Sequence, residues 1–339
     1  MNHFPAEWSP QAGVLLTWPH AASDWASHLT EIESIYEILA KSISEREQLI
    51  VLAYDLDHMQ YISKKLAHCA TEHLTLLPCA TNDTWIRDYG PICLKSENAW
   101  LALNPCFNAW GEKYAYHLDQ AVNRTLAWEF NLKLRSIDLI LEGGNLETNG
   151  LGDLFMCRGA LRLPHETQES LESHATIREI QSELGIDTCW ILQSESLLGD
   201  DTDGHIDNLV RMTPESNQLL YSACDDQKNP NFARLKDLQR ELANIHADTG
   251  KFRDRIPLPI PRQLLTVDNT PLPANYCNYL VMNGAVLVPT FADANDAVAC
   301  ERIAHCFPDR EIISIDSRAL IRQGGAVHCA TMQLPDGIL

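Results

Sequence analysis

Basic charge is scarce in this chain: 26 Lys and Arg stand against 46 Asp and Glu, a formal net charge of −20 over 339 residues. Nucleic acid and anionic membranes attract basic surfaces, so neither is an expected partner. The same field would draw a cationic ligand inward, although acidity also serves plain solubility. Long apolar runs are missing too. No stretch approaches the roughly 20 residues of a membrane span, and Met-Asn-His-Phe-Pro-Ala-Glu-Trp at the N-terminus has neither the basic nor the apolar region of a secretion signal, which makes the cytoplasm the expected location. Cys-x-x-Cys pairs are absent although there are 11 cysteines. That removes thiol-rich zinc sites, and an odd count without a secretion signal argues against a disulfide framework. Most of these cysteines read as small buried hydrophobes. Low-complexity linkers are lacking as well, so residues 1–339 read as one domain.

What the chain does have is a regular alternation of short apolar strands and amphipathic helices. Strands are predicted at Val14–Trp18, Leu49–Tyr54, Leu74–Cys79, Trp100–Asn104, Ile137–Leu141, Cys189–Gln193, Leu219–Cys224 and Ile312–Asp316, each about 5 to 6 residues long. Asn283-Gly284 between Tyr279–Met282 and Ala285–Pro289 signals a hairpin. Apolar stripes at helical spacing run through Ile32–Ile43, Ile177–Leu184 and Phe232–Ile245. Gly185 is expected to stop the second helix and Asn229-Pro230 to open the third.

Four polar motifs punctuate this alternation. Asp88 lies in Trp85-Ile-Arg87-Asp88-Tyr-Gly90-Pro91, Glu142 in Leu141-Glu142-Gly143-Gly144, and His205 in Asp203-Gly204-His205-Ile206-Asp207; Cys329 follows Gly324-Gly325-Ala-Val-His328. The key residues are 54, 63 and 124 residues apart, close to multiples of 60 with one position skipped, as if repeated β/α modules each offered a loop to a shared centre. Alone, each motif is equally a plain turn at a strand end. Gly204–Asp207 is expected to run extended, with His205 and Asp207 on one face. Asp201, Asp203, His205 and Asp207 also invite a metal reading, but the spacing departs from a calcium loop and no Glu closes it. Cys329 is expected where a buried strand gives way to a tight turn, and the aromatic loop Phe107–Tyr114 either covers a pocket or is ordinary packing.

Together the motifs supply three carboxylates, a histidine and a thiol. A guanidinium is a planar cation with a fork of five donors that paired carboxylates accept. A thiolate can attack its carbon while a histidine protonates the departing amine. With Pro5–Trp8, Thr17–Pro19, Trp85–Pro91, Phe107–Tyr114, Val288–Phe291 and Gly324–Cys329 in order, the chain resembles the agmatine deiminase and Porphyromonas-type peptidylarginine deiminase family of the guanidino-modifying (pentein) superfamily. The resemblance implies a five-bladed α/β propeller with pseudo-fivefold symmetry. It implies Cys329 as nucleophile, His205 as general acid and base, Glu142 as a contact of the guanidinium and the support of His205, and Asp88 and Asp207 as ligands of the guanidinium. Trp85, Trp110, Asp203 and Gly325 would line the substrate site.

The implied reaction is agmatine and water to N-carbamoylputrescine and ammonia, a step of putrescine and polyamine metabolism, with no metal or organic cofactor. A protein-arginine or free-arginine deiminase, another guanidine enzyme and a non-catalytic guanidine-binding relative are the alternatives. Arginines between Arg253 and Arg262 are candidates for holding an arginine carboxylate. The oligomeric state, homo-oligomer included, is left open. The chain departs from the family at Glu112, where Gly is usual, and in the residues that surround His328-Cys329.

Overall fold

The computed structural model describes residues 2–97, 99–161 and 174–339. All the predicted strands are present, within one to three residues at their ends. They fall into sheets with a shared plan. In each of five sheets a central strand has an antiparallel neighbour on one side and a parallel neighbour on the other. The central strands are Gln11–Thr17, Ala99–Cys106, Asp153–Cys157, Gln218–Ala223 and Ala285–Thr290. Their antiparallel partners are Thr331–Pro335, Ile92–Ser96, Glu147–Thr148, Val210–Met212 and Leu280–Met282. Their parallel partners are Gln48–Ala53, Leu134–Ile140, Thr188–Leu192, Asp254–Pro259 and Glu311–Asp316.

A parallel pair requires a crossover. Helices Leu29–Ser44, Val122–Glu129, His174–Leu184, Phe232–Thr249 and Asp296–Cys306 supply one to each sheet. The first of these buries Ile32, Tyr36, Leu39 and Ile43 completely against its sheet. Each such side chain contributes on the order of 1.5–3 kcal/mol. The final strand, Thr331–Pro335, pairs with Gln11–Thr17, so one sheet joins the two ends of the described chain.

Three local expectations need correction. Phe232–Thr249 is preceded by Asn231, not opened by Asn229-Pro230: the Asn229 side chain accepts from Asn231 N at 2.9 Å, and Asn231 Oδ1 is taken by Leu198 N at 2.8 Å. Residues 206–208 wind into a single 3-10 turn instead of running extended. Cys329 does not end a buried strand; it sits in the turn that precedes the last one. Gly185 does stop its helix, with φ 71°, and a Cβ there would lie 1.9 Å from Asn2 O.

Candidate active site

In all five sheets the antiparallel strand is entered through a short turn. Those turns carry Asp88, Glu142, His205 with Asp207, Asn278, and Cys329. Asn278 therefore occupies the position that the spacing had skipped between His205 and Cys329. The five turns are bonded in a cycle. Gly144 N donates to Asp88 Oδ1 at 2.9 Å, and His205 Nε2 meets Glu142 Oε2 at 2.7 Å. Asn278 Nδ2 donates to Asn208 Oδ1 at 3.1 Å, and His328 N to Asn278 O at 3.1 Å. Arg87 N donates to Cys329 O at 3.3 Å and completes the circuit.

Asp88, Glu142, His205, Asp207 and Cys329 are all buried. Their closeness is plain at Gly144, where a Cβ would lie 2.5 Å from His205 Nδ1, 2.7 Å from Asp88 Oδ1 and 3.2 Å from Asp207 Oδ2. Cys329 Sγ lies 3.6 Å from Asp207 Oδ2. The same oxygen takes His328 Nδ1 at 2.8 Å, while Asp207 Oδ1 has no hydrogen-bond partner among the described residues. The two oxygens of Asp88 differ from this: Oδ1 takes Gly144 N and Oδ2 takes Trp110 Nε1 at 3.0 Å.

These contacts set the charges. Burial raises the Asp88 carboxyl, His205 opposes the rise and Glu142 adds to it, leaving Asp88 at about 6. Burial would also raise Asp207, but the bond to His328 and its charge hold it below the ordinary carboxylate range. Burial alone would lower His205, yet Asp88, the bond to Glu142 and Asp207 lift it to about 10. Cys329 is pushed well above an ordinary thiol by burial and then by the Asp207 and Asp88 charges. The site thus combines a neutral thiol with an imidazolium bonded to Glu142, and among the described residues His205 Nδ1, 3.5 Å from Asp88 Oδ1, has no hydrogen-bond partner.

Cys329, Asp88, Trp85, Trp110 and Gly325 line a cavity of about 280 Å³. Gly325 is fixed by close approach, since a Cβ would lie 2.4 Å from Trp85 Cζ3. Of the loop Phe107–Tyr114, Trp110 and Tyr114 line this cavity. Ala109, Trp110 and Glu112 all take positive φ there, at 47°, 57° and 64°, a strained backbone for non-glycine residues. Trp110 and Tyr114 form part of the wall, and Tyr114 Oη donates to Asp201 Oδ2 at 2.8 Å. Asp203 is not in the wall: it turns to Lys113, with Nζ 3.1 Å from Oδ1. Asp201 takes the place expected of it, together with Asp24 and Asp83. Of the expected carboxylate-binding arginines, Arg253 pairs with Asp254 and Arg262 with Asp293, and neither lines the cavity. Arg322 does, but it is paired with Glu31. Among the described residues no cluster of His, Cys, Asp and Glu is arranged to hold a metal ion.

The sequence reading assigned no role to a second layer beneath the cavity. His328 Nε2 meets Glu7 Oε2 at 2.8 Å, and Arg211 binds Glu7 at 2.7 Å and Glu147 at 2.9 Å. Arg211 Nη1 also donates to the carbonyls of Cys277 and Tyr279. Glu7 lies in a motif that carried the resemblance and His328 adjoins Cys329, so proximity to those motifs was the available signal.

The chain can now be compared with known proteins. The profile for Porphyromonas-type peptidyl-arginine deiminase matches residues 3–335. Agmatine deiminase of Ectopseudomonas mendocina (strain ymp) is 29% identical over 98% of this chain and 95% of its own length. Agmatine deiminase of Pseudomonas putida is also 29% identical, with the same coverage. Among solved structures, a substrate-bound serine-for-cysteine variant of the C. jejuni agmatine deiminase superposes with a TM-score of 0.90 at 32% identity, covering 99% of this chain and 97% of that one. With its mixed α/β fold and a match over nearly its whole length, the chain belongs to the Porphyromonas-type peptidyl-arginine deiminase family.

Proposed function

We propose that the chain hydrolyses agmatine to N-carbamoylputrescine and ammonia, with Cys329 as nucleophile, within a single catalytic domain built as a five-bladed propeller. The repeated sheet plan and the cycle of bonds through five turns support that architecture. The observation that carries the reaction is the thiol of Cys329 in the wall of a cavity that Asp88 also lines, with the buried Asp207 Oδ2 3.6 Å from the sulfur.

Asp207 Oδ1, which has no partner among the described residues, and Asp88 accept the guanidinium N–H groups. The bound cation reverses the field that keeps Cys329 protonated, and the thiol proton is released to solvent. The thiolate then forms an S–C bond to the guanidinium carbon. His205 carries its transferable proton on Nδ1, because Nε2 is held by Glu142. That proton goes to the departing nitrogen, the C–N bond breaks, and ammonia leaves an S-alkylthiouronium on Cys329. The neutral His205 takes a proton from water and the resulting hydroxide adds to the same carbon; the S–C bond then breaks, the proton of the added hydroxyl passes to the expelled thiolate, and the ureido product is released. The roles of Trp85, Trp110 and Gly325 are to shape the walls of this cavity.

The outer wall distinguishes substrates. Asp24, Asp83 and Asp201 face the cavity, and its one arginine, Arg322, is already engaged. Such a rim favours a second cation at the far end of the substrate and disfavours the α-carboxylate of free arginine. A ureido-product assay on agmatine, arginine, a blocked peptidyl-arginine and methylarginine tests this. Agmatine is expected to have the highest kcat/KM; no turnover of agmatine, or equal rates on all four, would contradict it.

A further inference from the structure

Between strand Asp254–Pro259 and the turn that carries Asn278, residues 260–277 take a detour that the second sheet does without: there Leu134–Ile140 leads almost directly into the turn of Glu142. The detour folds back as a hairpin, Leu264–Leu265 against Pro271–Leu272. Its base is fixed. Gln263 Nε2 donates to Leu264 O at 2.9 Å and to Leu272 O at 3.1 Å, and Asn231 Nδ2 donates to Gln263 Oε1 at 3.3 Å. Leu264 and Leu272 pack against the buried cluster of Leu258, Tyr276 and Val288. The tip is closed on itself: Thr266 N donates to Thr270 O at 2.9 Å and Thr270 N to Thr266 Oγ1 at 3.0 Å, while Val267 is fully exposed. Thr266, Thr270, Pro271 and Leu272 line the same cavity as Cys329.

We propose that the hairpin 264–272 is a specificity element of this site, which closes the cavity mouth to polypeptide and leaves it open to a free guanidino-alkylamine. The proposal rests on the agmatine reading of the site. The hairpin does not stand alone at the rim. A Cβ on Gly199 would lie 2.0 Å from Pro271 O, so the hairpin and the loop 199–203 touch with no room for a side chain between them. Two residues further on, Asp201 Oδ2 accepts from Tyr114 Oη at 2.8 Å, and Lys113 Nζ donates to Asp201 O. A Cβ on Gly324 would lie 3.1 Å from Asp201 Oδ1, which brings the loop before Cys329 against the same residue. Segments from separate sheets are thus joined into one arc. A peptidyl-arginine has to carry main chain away from its Cα in two directions, each limb about 5 Å wide, and a rim without slots at its junctions stops it. A guanidino-alkylamine ends in a single ammonium and enters end-on. The cavity-facing residues of the hairpin carry no charge. The hairpin therefore adds nothing to the pull that Asp24, Asp83 and Asp201 exert on a cation, and it discriminates by shape, rejecting the wrong substrate instead of binding the right one more tightly.

Shortening residues 266–270 to Gly-Ser-Gly keeps both strands of the hairpin and removes its tip. Two readouts are taken on this variant and the wild type. One is ureido product formed from agmatine and from a blocked peptidyl-arginine. The other is the rate at which Cys329 is alkylated by chloroacetamide and by a peptide that carries a chloroacetylated lysine at its centre, followed by mass spectrometry of the Cys329 peptide. On the shortened chain, kcat/KM for peptidyl-arginine and alkylation by the peptide reagent should each rise by about tenfold or more, as for relief of a clash that rejects one partner. Agmatine kcat and alkylation by chloroacetamide should change by less than about threefold, because no charged or reacting group is touched. If the shortened chain does not fold, Thr266→Gly combined with Thr270→Gly, which keeps the length and removes two side chains from the wall, carries the same test. A folded variant that gains nothing on either peptide probe would overturn the proposal. So would a wild-type protein that accepts the peptide probes as readily as the small ones. Failure of the wild-type protein to turn over any guanidine would defeat the agmatine reading instead, and the two alkylation rates would still decide what the hairpin excludes.

Discussion

Asp207 Oδ2 lies 3.6 Å from Cys329 Sγ, and its charge opposes ionisation of that thiol. On the proposed reading, one carboxylate both attracts the guanidinium and suppresses the nucleophile until it arrives. Asp207→Asn should move two measurements in opposite directions. Agmatine turnover should fall by about a hundredfold or more, because a charge-assisted ligand of the substrate is lost. Alkylation of Cys329 by a neutral reagent should quicken by roughly threefold to tenfold, since an opposing charge has gone. Slower alkylation would mean that Asp207 does not suppress the thiol.

The pH dependence follows from Asp88 and His205. Asp88 is at about 6, and in the proposed mechanism it must be ionised to accept the cation. His205 is at about 10, and in the proposed mechanism it must be protonated to release ammonia. The profile of kcat/KM should therefore fall below about pH 6 and above about pH 10, with a plateau between. Trp110→Phe removes the indole N–H from Asp88 Oδ2. Loss of a donor to the ionised form raises a carboxyl, so the acidic limb should move upward by roughly half a unit to one unit while the alkaline limb stays. An acidic limb unmoved by this substitution would contradict the assignment.

Gly144 has no room for a side chain. A Cβ would meet His205 Nδ1 at 2.5 Å and Asp88 Oδ1 at 2.7 Å. Gly144→Ala should cut kcat/KM by about a hundredfold or more, given how steeply catalysis depends on placement. The melting temperature should change much less than activity, because the displaced groups belong to the cavity. Near-normal activity would show that the catalytic groups sit further apart than described.

Arg211 is buried between Glu7 and Glu147. Arg211→Met leaves those two carboxylates without their cation and should destabilise the fold by about 3–5 kcal/mol, the usual cost of breaking a buried pair from one side. Chemical denaturation measures it. A loss under about 1 kcal/mol would mean that the second layer contributes little to stability.

Much of this was legible in the sequence, and the reasons for the rest are specific. Strands such as Leu49–Tyr54 are continuous apolar runs, and Ile32–Ile43 has a clean helical period, so both were readable locally. The strands Ile92–Ser96, Asp153–Cys157 and Thr331–Pro335 were not predicted; in the last, polar Thr331 and Gln333 interrupt the pattern, and its partner Gln11–Thr17 is at the other end of the chain. Asp88, Glu142, His205 and Cys329 stood out because their residue types carry chemistry. Asn278 did not, because an amide does not titrate and its contacts span 51 and 70 residues. The skipped interval between His205 and Cys329 was the one sequence signal that marked its place. Gly204–Asp207 was misread because alternation was assumed where Gly204, at φ 102°, turns the chain.

The most direct test of the account is mass spectrometry of the enzyme quenched during turnover of agmatine. The account predicts a transient adduct on the Cys329 peptide, heavier by agmatine less one ammonia, that disappears as N-carbamoylputrescine forms. An adduct on any other of the 11 cysteines, or undiminished turnover in Cys329→Ser, would contradict it.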